Sequence, residues 1–243
     1  MTTSTPTSFH LGRASFAAGA LFFVFYQLDT RVLADARGAS EGVTTISGPA
    51  RVVDGDTIDI NGQRIRLEGI DAPETAQSCA SNSGGTWECG RAAARALQAL
   101  VAAADVSCDS RGTDKYGRIL GLCFTEGRDL NATMVKTGMA WAFTKYSQSY
   151  VAEEAEARTA LAGVWQAPTQ APWDFRHKGW QVAEATAPQG CAIKGNVSGK
   201  GHIYHMPWSP WYQRVTVDAA RGEQWFCSEA DAQAAGWRPA LTN

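Results

Sequence analysis

The fold is decided by residues 51–74, which read RVVDGDTIDINGQRIRLEGIDAPE. Apolar and polar residues alternate with period two on both sides of Asn61-Gly62, and this dipeptide strongly favours a two-residue hairpin turn. We therefore predict two antiparallel strands, each with one buried face. The residues on those faces are Ile58, Ile60, Ile65 and Leu67.

The sequence after this hairpin predicts helices among further short strands. The predicted elements are a helix over 90–104, strands around 106–109 and 116–124, and helices over about 130–137 and 150–162. The first helix, GRAAARALQALVAAA, is rich in good helix formers and amphipathic. Gly138 and Gly163 supply the C-terminal stops of the last two. This order of elements predicts an α+β fold.

The first 36 residues are interpreted as a signal peptide or an N-terminal anchor. Residues 14–28, ASFAAGALFFVFYQL, contain no charge. As a helix they would span about 22 Å, which is less than the roughly 30 Å of a bilayer core. Ala34-Asp35-Ala36 has the small residues of a cleavage site. We expect a bacterial-type secreted or periplasmic protein, attached to a membrane only if this segment is retained.

Composition divides the rest of the chain into four parts. They are a polar spacer over 37–47, a main domain over 48–166, a linker over 167–190 and a small module over 191–243. The linker is rich in Pro, Gln and Trp and lacks a clear period. In the module, Ser228 is expected to cap a short helix that ends at Gly236.

The charge balance excludes a protein that attracts nucleic acid by bulk positive charge. The 243 residues include 22 Lys and Arg against 24 Asp and Glu, which gives a formal net charge of −2. Basic composition is the simplest signature of a nucleic-acid binder. Any phosphate chemistry must therefore depend on a few local groups.

Four short segments concentrate polar residues of the kind found in active sites. They are Asp54–Thr57, Arg66, Asp71–Glu74 and Asp114–Arg118. Two carboxylates with backbone or water oxygens suit Ca²⁺, and guanidinium groups suit a phosphodiester. A third carboxylate can act as a general base toward water. Each segment alone is more often a turn or a surface ion pair, so the prediction depends on their combination.

Six blocks follow one another over about residues 48–166. They are VVDGDT, IRLEGIDAPE, the Ala-rich helix, TDKYGR, DLN with the short helix after it, and a helix followed by GVW. In this order they resemble the thermonuclease, or staphylococcal-nuclease-like, family. The resemblance implies a five-stranded OB-type β-barrel with three helices. It also implies Ca²⁺-dependent hydrolysis of phosphodiester bonds in DNA and RNA.

The resemblance assigns roles to individual residues. The metal ligands are expected to be Asp56, Asp71 and the backbone carbonyl of Ala72, the general base Glu74, and the phosphate-binding residues Arg66 and Arg118. The residues that match substrate-binding positions are Lys115, Tyr116 and Tyr146. The chain departs from the best-known members at Ala72, where they have Thr, and at Thr144, where they have a tyrosine. The second departure leaves the nucleotide preference open.

The six cysteines are expected to form disulfides in an exported protein. Their spacing favours three bridges, Cys79–Cys89, Cys108–Cys123 and Cys191–Cys227. The second bridge would brace the 114–118 loop, and closing a loop of that length is worth about 3 kcal/mol. A zinc site is the alternative for the last pair, with the ligands Cys191, Cys227, His202 and His205.

The C-terminal part resembles a small module found at the end of some exported bacterial nucleases. The resemblance rests on IKGNVS, IYHMP and WFCSEADAQAAGW, in residues 193–237. We expect a disulfide-stapled α+β module. Its aromatic residues are expected to pack its core in preference to stacking on bases or sugars. They are Trp208, Trp211, Tyr212, Trp225 and Trp237.

The leading hypothesis is a monomeric nuclease that acts on DNA and RNA and needs no stable protein partner. Two alternatives remain open at this point. One is a nucleic-acid or polyanion binding module that has lost turnover. The other is an accessory protein of exopolysaccharide (succinoglycan-like) biosynthesis, because some nuclease-like proteins carry that description. The sequence has the expected residue at all five charged catalytic positions, which favours an enzyme over a binding module.

Overall fold

A computed structural model describes residues 43–240 of the chain. The predicted signal peptide or anchor over residues 1–36, with its cleavage motif, lies outside the described residues. Within 43–240, no helix has the length and apolar character needed to cross a membrane.

Strands dominate the first part of the described chain. Their bounds are β1 Thr45–Gly48, β2 Ala50–Val52, β3 Thr57–Ile60, β4 Gln63–Leu67, β5 Ile70–Asp71, β6 Cys79–Ala80, β7 Thr86–Trp87, β8 Val106–Thr113, β9 Ile119–Thr125, β10 Arg128–Asp129 and β11 Trp141–Ala142. A curled sheet has the order β1-β8-β9-β4-β3-β2, with β10 on β9. Within it, β4 and β9 run parallel and the other pairs are antiparallel.

The two ends of this sheet belong to one segment of chain. Pro49 alone separates β1 from β2, so a single bent strand pairs with β8 at one end and with β3 at the other. Counted as one, it forms with β3, β4, β8 and β9 the predicted five-stranded OB-type barrel. Because β1 begins at Thr45, the barrel starts inside the segment predicted as a spacer.

The predicted hairpin is formed by β3 and β4. Its turn residues, Asn61 and Gly62, have φ values of 53° and 83°, the left-handed conformation that a type I′ turn needs. Thr57 lies opposite Arg66 in the antiparallel register. The four residues predicted to face the core are fully buried: Ile58, Ile60, Ile65 and Leu67. Their alternation therefore fixes which face of the hairpin points inward.

Residues 51–67 form three strands where the sequence predicts two. A turn at Asp54-Gly55-Asp56 separates β2 from β3, which pair with each other. The Asp56 amide donates to Asp54 Oδ1 at 3.2 Å, and the Val53 amide donates to the Thr57 carbonyl at 2.8 Å. The Asp54 side chain thus accepts from one turn amide, and a backbone carbonyl accepts from the other.

Five α-helices and four short 3₁₀ turns lie in the described residues. The helices are α1 Cys89–Val101, α2 Leu130–Lys136, α3 Val151–Thr159, α4 Pro172–Glu184 and α5 Glu229–Ala234. The 3₁₀ turns are Gly163–Gln166, Pro188–Gly190, Tyr212–Arg214 and Ala219–Arg221. The first three helices are the three predicted for the main domain. Asp129 caps α2, where its Oδ1 accepts from the Ala132 amide at 2.9 Å.

Helix α4 lies in the segment that the sequence predicts as a linker. Pro172 opens it at a position where the missing N–H costs no hydrogen bond. Its sequence, PWDFRHKGWQVAE, mixes aromatic, charged and small residues without a continuous apolar stripe. Only Pro172 and Ala183 are buried, which explains why periodicity does not reveal the helix.

The C-terminal module is a second sheet covered by α5. Its strands are β12 Ile193–Ser198, β13 Gly201–His205, β14 Gln224–Phe226 and β15 Arg238–Pro239, in the order β14-β12-β13-β15. Its core residues are Ile193, Tyr204, Phe226, Ala232 and Trp237. Ser228 caps α5 by accepting from the Asp231 amide at 3.1 Å, and Gly236 follows with φ 82°, as predicted.

All three predicted disulfides are present. Cys79 pairs with Cys89, Cys108 with Cys123 across β8 and β9, and Cys191 with Cys227. The zinc alternative for the last pair is therefore wrong, since both thiols are used covalently. The two histidines have other partners: His202 stacks on Trp237 at 4.7 Å, and His205 Nε2 lies 2.8 Å from Asn196 Oδ1.

Candidate active site

Three carboxylates lie together at the mouth of the barrel. Asp56 ends the turn before β3, Asp71 ends β5, and Glu74 follows the Ala72-Pro73 corner. Asp71 is fully buried and Asp56 is 4% exposed, whereas Glu74 is partly exposed. The sequence predicts that these segments meet, and the barrel brings them to one place.

Close packing behind the carboxylates fixes their backbone. A Cβ on Gly55 would lie 2.7 Å from the Ala72 Cβ and 2.8 Å from the Ala93 Cβ of α1. A Cβ on Gly90, at the start of α1, would lie 1.7 Å from the Glu74 carbonyl oxygen. Both positions therefore exclude any side chain, and α1 packs directly against the turn and the corner that carry the acidic residues.

Arg66 joins two of the carboxylates. Its Nη1 donates to Asp56 Oδ1 and its Nη2 to Asp71 Oδ1, each at 2.9 Å. The Ala72 amide also donates to Asp56 Oδ2 at 3.1 Å. Burial alone would raise the pKa of Asp56, but the Arg66 charge and the Ala72 hydrogen bond bring that pKa below its ordinary value. Asp56 is thus held as a carboxylate.

A second arginine, Arg176 of α4, contacts Asp71 and Glu74. Its Nη2 lies 2.7 Å from Asp71 Oδ2, and its Nη1 lies 2.7 Å from Glu74 Oε1. The sequence does not predict this residue as part of the site. Arg176 is 105 positions from Asp71 and lies in a segment without a periodic signal. Pro172, at the start of α4, is a local signal that a helix begins there.

Glu74 has an environment suited to proton transfer. Burial raises the pKa of Glu74 to about 7, although the Arg176 charge and hydrogen bond act in the opposite direction. A carboxylate with a pKa near the working pH accepts and releases a proton readily.

Asp54 behaves differently from its neighbour Asp56: burial and the Asp56 charge raise the pKa of Asp54 to about 6. Its side chain shapes the turn.

Arg118 reaches the site from the loop between β8 and β9. Asp114 organises this loop: its Oδ1 accepts from the Tyr116 and Arg118 amides, at 2.9 and 3.0 Å. Its Oδ2 accepts from Arg118 Nε at 2.7 Å. The Cys108–Cys123 bridge ties the two strands below the loop. Arg118 is thus presented by a hydrogen-bonded loop and pairs with Asp114.

A cleft of about 1040 Å³ connects these groups. Its barrel side carries Asp56, Glu74, Arg66, Arg118 and the predicted substrate-binding residues, while Asp71 is buried and does not line it. The Lys115 ammonium lies 4.8 Å from the Tyr116 ring centroid. Tyr146 is 73% exposed and packs edge-on against Phe143, with ring centroids 5.0 Å apart. The side chains predicted to form the site therefore line one cleft, except Asp71, which is hydrogen-bonded to the lining residue Arg66.

The C-terminal module lines the same cleft from the other side. It contributes Tyr204, Met206, Trp208, Gln233 and Arg238. Of the module aromatics considered above, Trp237 and Tyr212 are buried, as core packing predicts. Trp208 instead lines the cleft. Trp211 is 38% exposed and does not line it.

The predicted calcium ligands have suitable chemistry but are engaged with arginines. Carboxylate oxygens of Asp56 and Asp71 with the Ala72 carbonyl are hard donors of the kind that Ca²⁺ prefers. Both Asp71 oxygens accept from guanidinium groups, and both Asp56 oxygens accept hydrogen bonds. Among residues 43–240, no group of three or more His, Cys, Asp or Glu side chains is arranged to hold a metal ion.

Comparison with known proteins identifies the family. The model of the staphylococcal nuclease homologue family matches residues 64–167, and a second family model, ArfC, matches residues 171–239. The succinoglycan biosynthesis protein ExoI of Rhizobium meliloti (strain 1021) is 38% identical over 133 residues, which cover 54% of this chain and 68% of that protein.

Two relatives are named for nucleolytic activity. A micrococcal nuclease of Shigella flexneri is 36% identical over 144 residues, covering 52% of this chain and 77% of that protein. An uncharacterized endonuclease of Escherichia coli is 36% identical over 136 residues, covering 53% of this chain and 82% of that protein. With the OB-type barrel and the clustered carboxylates, these matches show that the chain belongs to the staphylococcal nuclease family.

Proposed function

We propose that the protein is an exported, calcium-dependent nuclease that hydrolyses phosphodiester bonds of DNA and RNA. One observation carries this proposal: Asp56, Glu74, Arg66 and Arg118 line one cleft, and the buried Asp71 is hydrogen-bonded to Arg66. Acidic groups that suit a metal ion and a base thus lie beside guanidinium groups that suit a phosphate. The relatives described as nucleases support the same activity.

The chain's own residues divide the work of hydrolysis. Glu74 takes a proton from the attacking water, and its raised pKa matches that role near neutral pH. Arg66 and Arg118 stabilise the charge that develops on the phosphate oxygens. When held by Asp56, Asp71 and the Ala72 carbonyl, Ca²⁺ would supply further positive charge beside the phosphate. The near-neutral net charge of the chain makes affinity depend on these few cations.

Substrate contacts are assigned to the rim of the cleft. Lys115 and Tyr116 lie on the loop that presents Arg118, so a terminal phosphate at this loop would be close to the reacting phosphate. Tyr146 offers an exposed ring on which a base can stack. These contacts do not read a base sequence, and we expect limited sequence preference.

The test is hydrolysis of single-stranded DNA and of RNA by the purified protein, with Ca²⁺ or with a chelator. Glu74→Gln should lower kcat by about 10²–10⁴-fold because the base is lost. Arg118→Ala should lower it by about 10²–10³-fold because one charge facing the phosphate is lost. Glu156→Gln and Arg91→Ala, both on the exposed surface, are the matched controls.

Two results would contradict catalysis by this cleft, and a third would change the metal requirement. Equal hydrolysis by the wild type and both cleft variants would show that the cleft is not catalytic. Tight binding of nucleic acid by the wild type without any product would instead favour the non-catalytic binding module. Hydrolysis that persists in the chelator would remove calcium from the mechanism but leave Glu74 in place.

The Rhizobium meliloti relative favours a second candidate function, an accessory role in exopolysaccharide synthesis. A gene deletion in the source bacterium separates the two candidates. Restoration of polymer by a Glu74→Gln copy would favour the accessory role, because that role would not need the base. Restoration by the wild type alone would show that the cleft chemistry is needed.

A further inference from the structure

The proposed reaction makes no use of Arg176, although its guanidinium group lies among the proposed catalytic carboxylates. Nη2 donates to Asp71 Oδ2 at 2.7 Å, and Nη1 donates to Glu74 Oε1 at 2.7 Å and to Asp71 Oδ1 at 3.0 Å. The Asp71 side chain is fully buried and the Arg176 side chain is 23% exposed. The three hydrogen bonds therefore belong to a largely desolvated ion pair.

Aromatic contacts hold α4 at both ends. Near its start, the Trp173 ring stacks on Phe143 with centroids 5.7 Å apart and meets Trp141 edge-on at 6.4 Å. Further along the helix, the ring centroids of Trp180 and of Trp208 in the C-terminal module lie 6.1 Å apart. Arg176 lies between these two anchors. Its guanidinium is thus tethered beside the carboxylates by a helix that contacts both sides of the cleft.

Arg176 occupies oxygens that a metal ion would need. Ca²⁺ binds carboxylate oxygens at about 2.3–2.6 Å, and both Asp71 oxygens already accept from guanidinium groups. Among the residues that the structure describes, Arg176 alone donates to Oδ2 of Asp71. Two cations that share the same oxygens also repel each other, most strongly where water is excluded. Metal binding and the Arg176 ion pairs therefore compete for one set of ligands.

We propose that Arg176 is a displaceable counterion that holds Asp71 and Glu74 in the metal-free protein and withdraws when Ca²⁺ binds. The proposal rests on the proposed function, because it takes Asp71 as a calcium ligand. In this arrangement Arg176 is a positioning residue. It raises the calcium concentration at which the site fills, and it keeps the proposed base Glu74 paired until the metal arrives.

Calcium binding to purified variants, measured by isothermal titration calorimetry without nucleic acid, tests this competition directly. Arg176→Gln should lower the Kd for Ca²⁺ by about tenfold or more, within the range of ordinary coupling between two ligands. Lys178→Gln removes one positive charge from an exposed position on the same helix and should change the Kd less than about twofold. An Arg176→Gln variant that binds Ca²⁺ no more tightly than the wild type, or less tightly, would overturn the proposal.

Hydrogen exchange of the wild type gives a second reading that needs no variant. Saturating Ca²⁺ should speed amide exchange in α4, because the helix loses three hydrogen bonds to the barrel. Unchanged or slower exchange in α4, under conditions where calorimetry shows bound Ca²⁺, would also overturn the proposal. This measurement decides the matter if Arg176→Gln does not fold.

The failure of this proposal can be told apart from the failure of the proposed function. If Ca²⁺ binds and activates hydrolysis but Arg176→Gln leaves the Kd unchanged, only the counterion role is lost. If neither the wild type nor Arg176→Gln binds Ca²⁺, the calcium site and the counterion role are both lost. Tighter binding by Arg176→Gln together with faster exchange in α4 supports both.

Discussion

The barrel and the C-terminal module keep their shapes by different means. The barrel core contains twenty buried residues, from Ile46 to Tyr150. The module core contains five, and the Cys191–Cys227 bridge closes the chain around it. A large core can position charged groups such as Asp56 and Asp71 away from water, whereas a small one needs a covalent staple. Asp56, Asp71 and Glu74 lie on the barrel, and the module supplies one wall of the cleft.

Removal of the module's staple is the strongest way to test this comparison. Cys191→Ser with Cys227→Ser opens a closed loop of 36 residues, which is worth about 4 kcal/mol by loop entropy. We expect the module to lose most of its protection in hydrogen exchange while the barrel keeps its own. The matched control, Cys79→Ser with Cys89→Ser, opens a loop of 10 residues. Simultaneous unfolding of both regions in the first variant would show that they are one cooperative unit.

The second prediction concerns aromatic stacking on the module side of the cleft, which Trp208 lines. Trp208→Ala, made in a Glu74→Gln background so that substrate persists, should weaken binding of single-stranded DNA. Loss of one stacked base costs about 1–3 kcal/mol, or roughly 5- to 150-fold in Kd. Trp211→Ala is the control, since Trp211 is exposed but does not line the cleft. Equal effects of the two changes would mean that the module wall does not contact the strand.

Helix capping provides the smallest test. Asp129→Ala and Ser228→Ala each remove one hydrogen bond to a helix amide and should each cost about 1 kcal/mol. On the barrel this loss should lower the melting temperature slightly. On the module the same loss should appear mainly as faster amide exchange in α5, because the smaller core gives that region a lower free energy of local unfolding. Identical global shifts from both variants would argue against separate stabilities.

Features set by neighbours in sequence could be predicted, whereas features set by distant packing could not. Asn61-Gly62, Asp129 and Ser228 act within a few residues of themselves, so the hairpin and two helix starts follow from local rules. Two of the three disulfides likewise join cysteines that are close in the chain, 10 and 15 positions apart. By contrast, Ile65 pairs with Ile119 in the parallel β4–β9 contact, and Arg176 reaches Asp71 across 105 positions. No periodicity encodes such long-range contacts.

The site residues divide in the same way. A resemblance that spans 48–166 assigns Asp56, Asp71, Glu74, Arg66 and Arg118 to one place. Four of them line one cleft, and the buried Asp71 is hydrogen-bonded to Arg66. The resemblance carries no information on residues beyond its own range, so the arginine of α4 and the module wall were not expected. The alternating pattern predicts a strand through Asp54-Gly55-Asp56, whereas a side-chain hydrogen bond within the motif forms a turn there.

The tight packing of α1 has a consequence for how activity can be altered. Gly55 and Gly90 leave no room between this helix and the backbone that carries Asp56 and Glu74. A bulkier residue at the buried Ala93 would therefore push the acidic turn toward the cleft, although Ala93 faces away from any substrate. Random mutagenesis for altered activity should recover substitutions on the rear of the site as well as in the cleft itself.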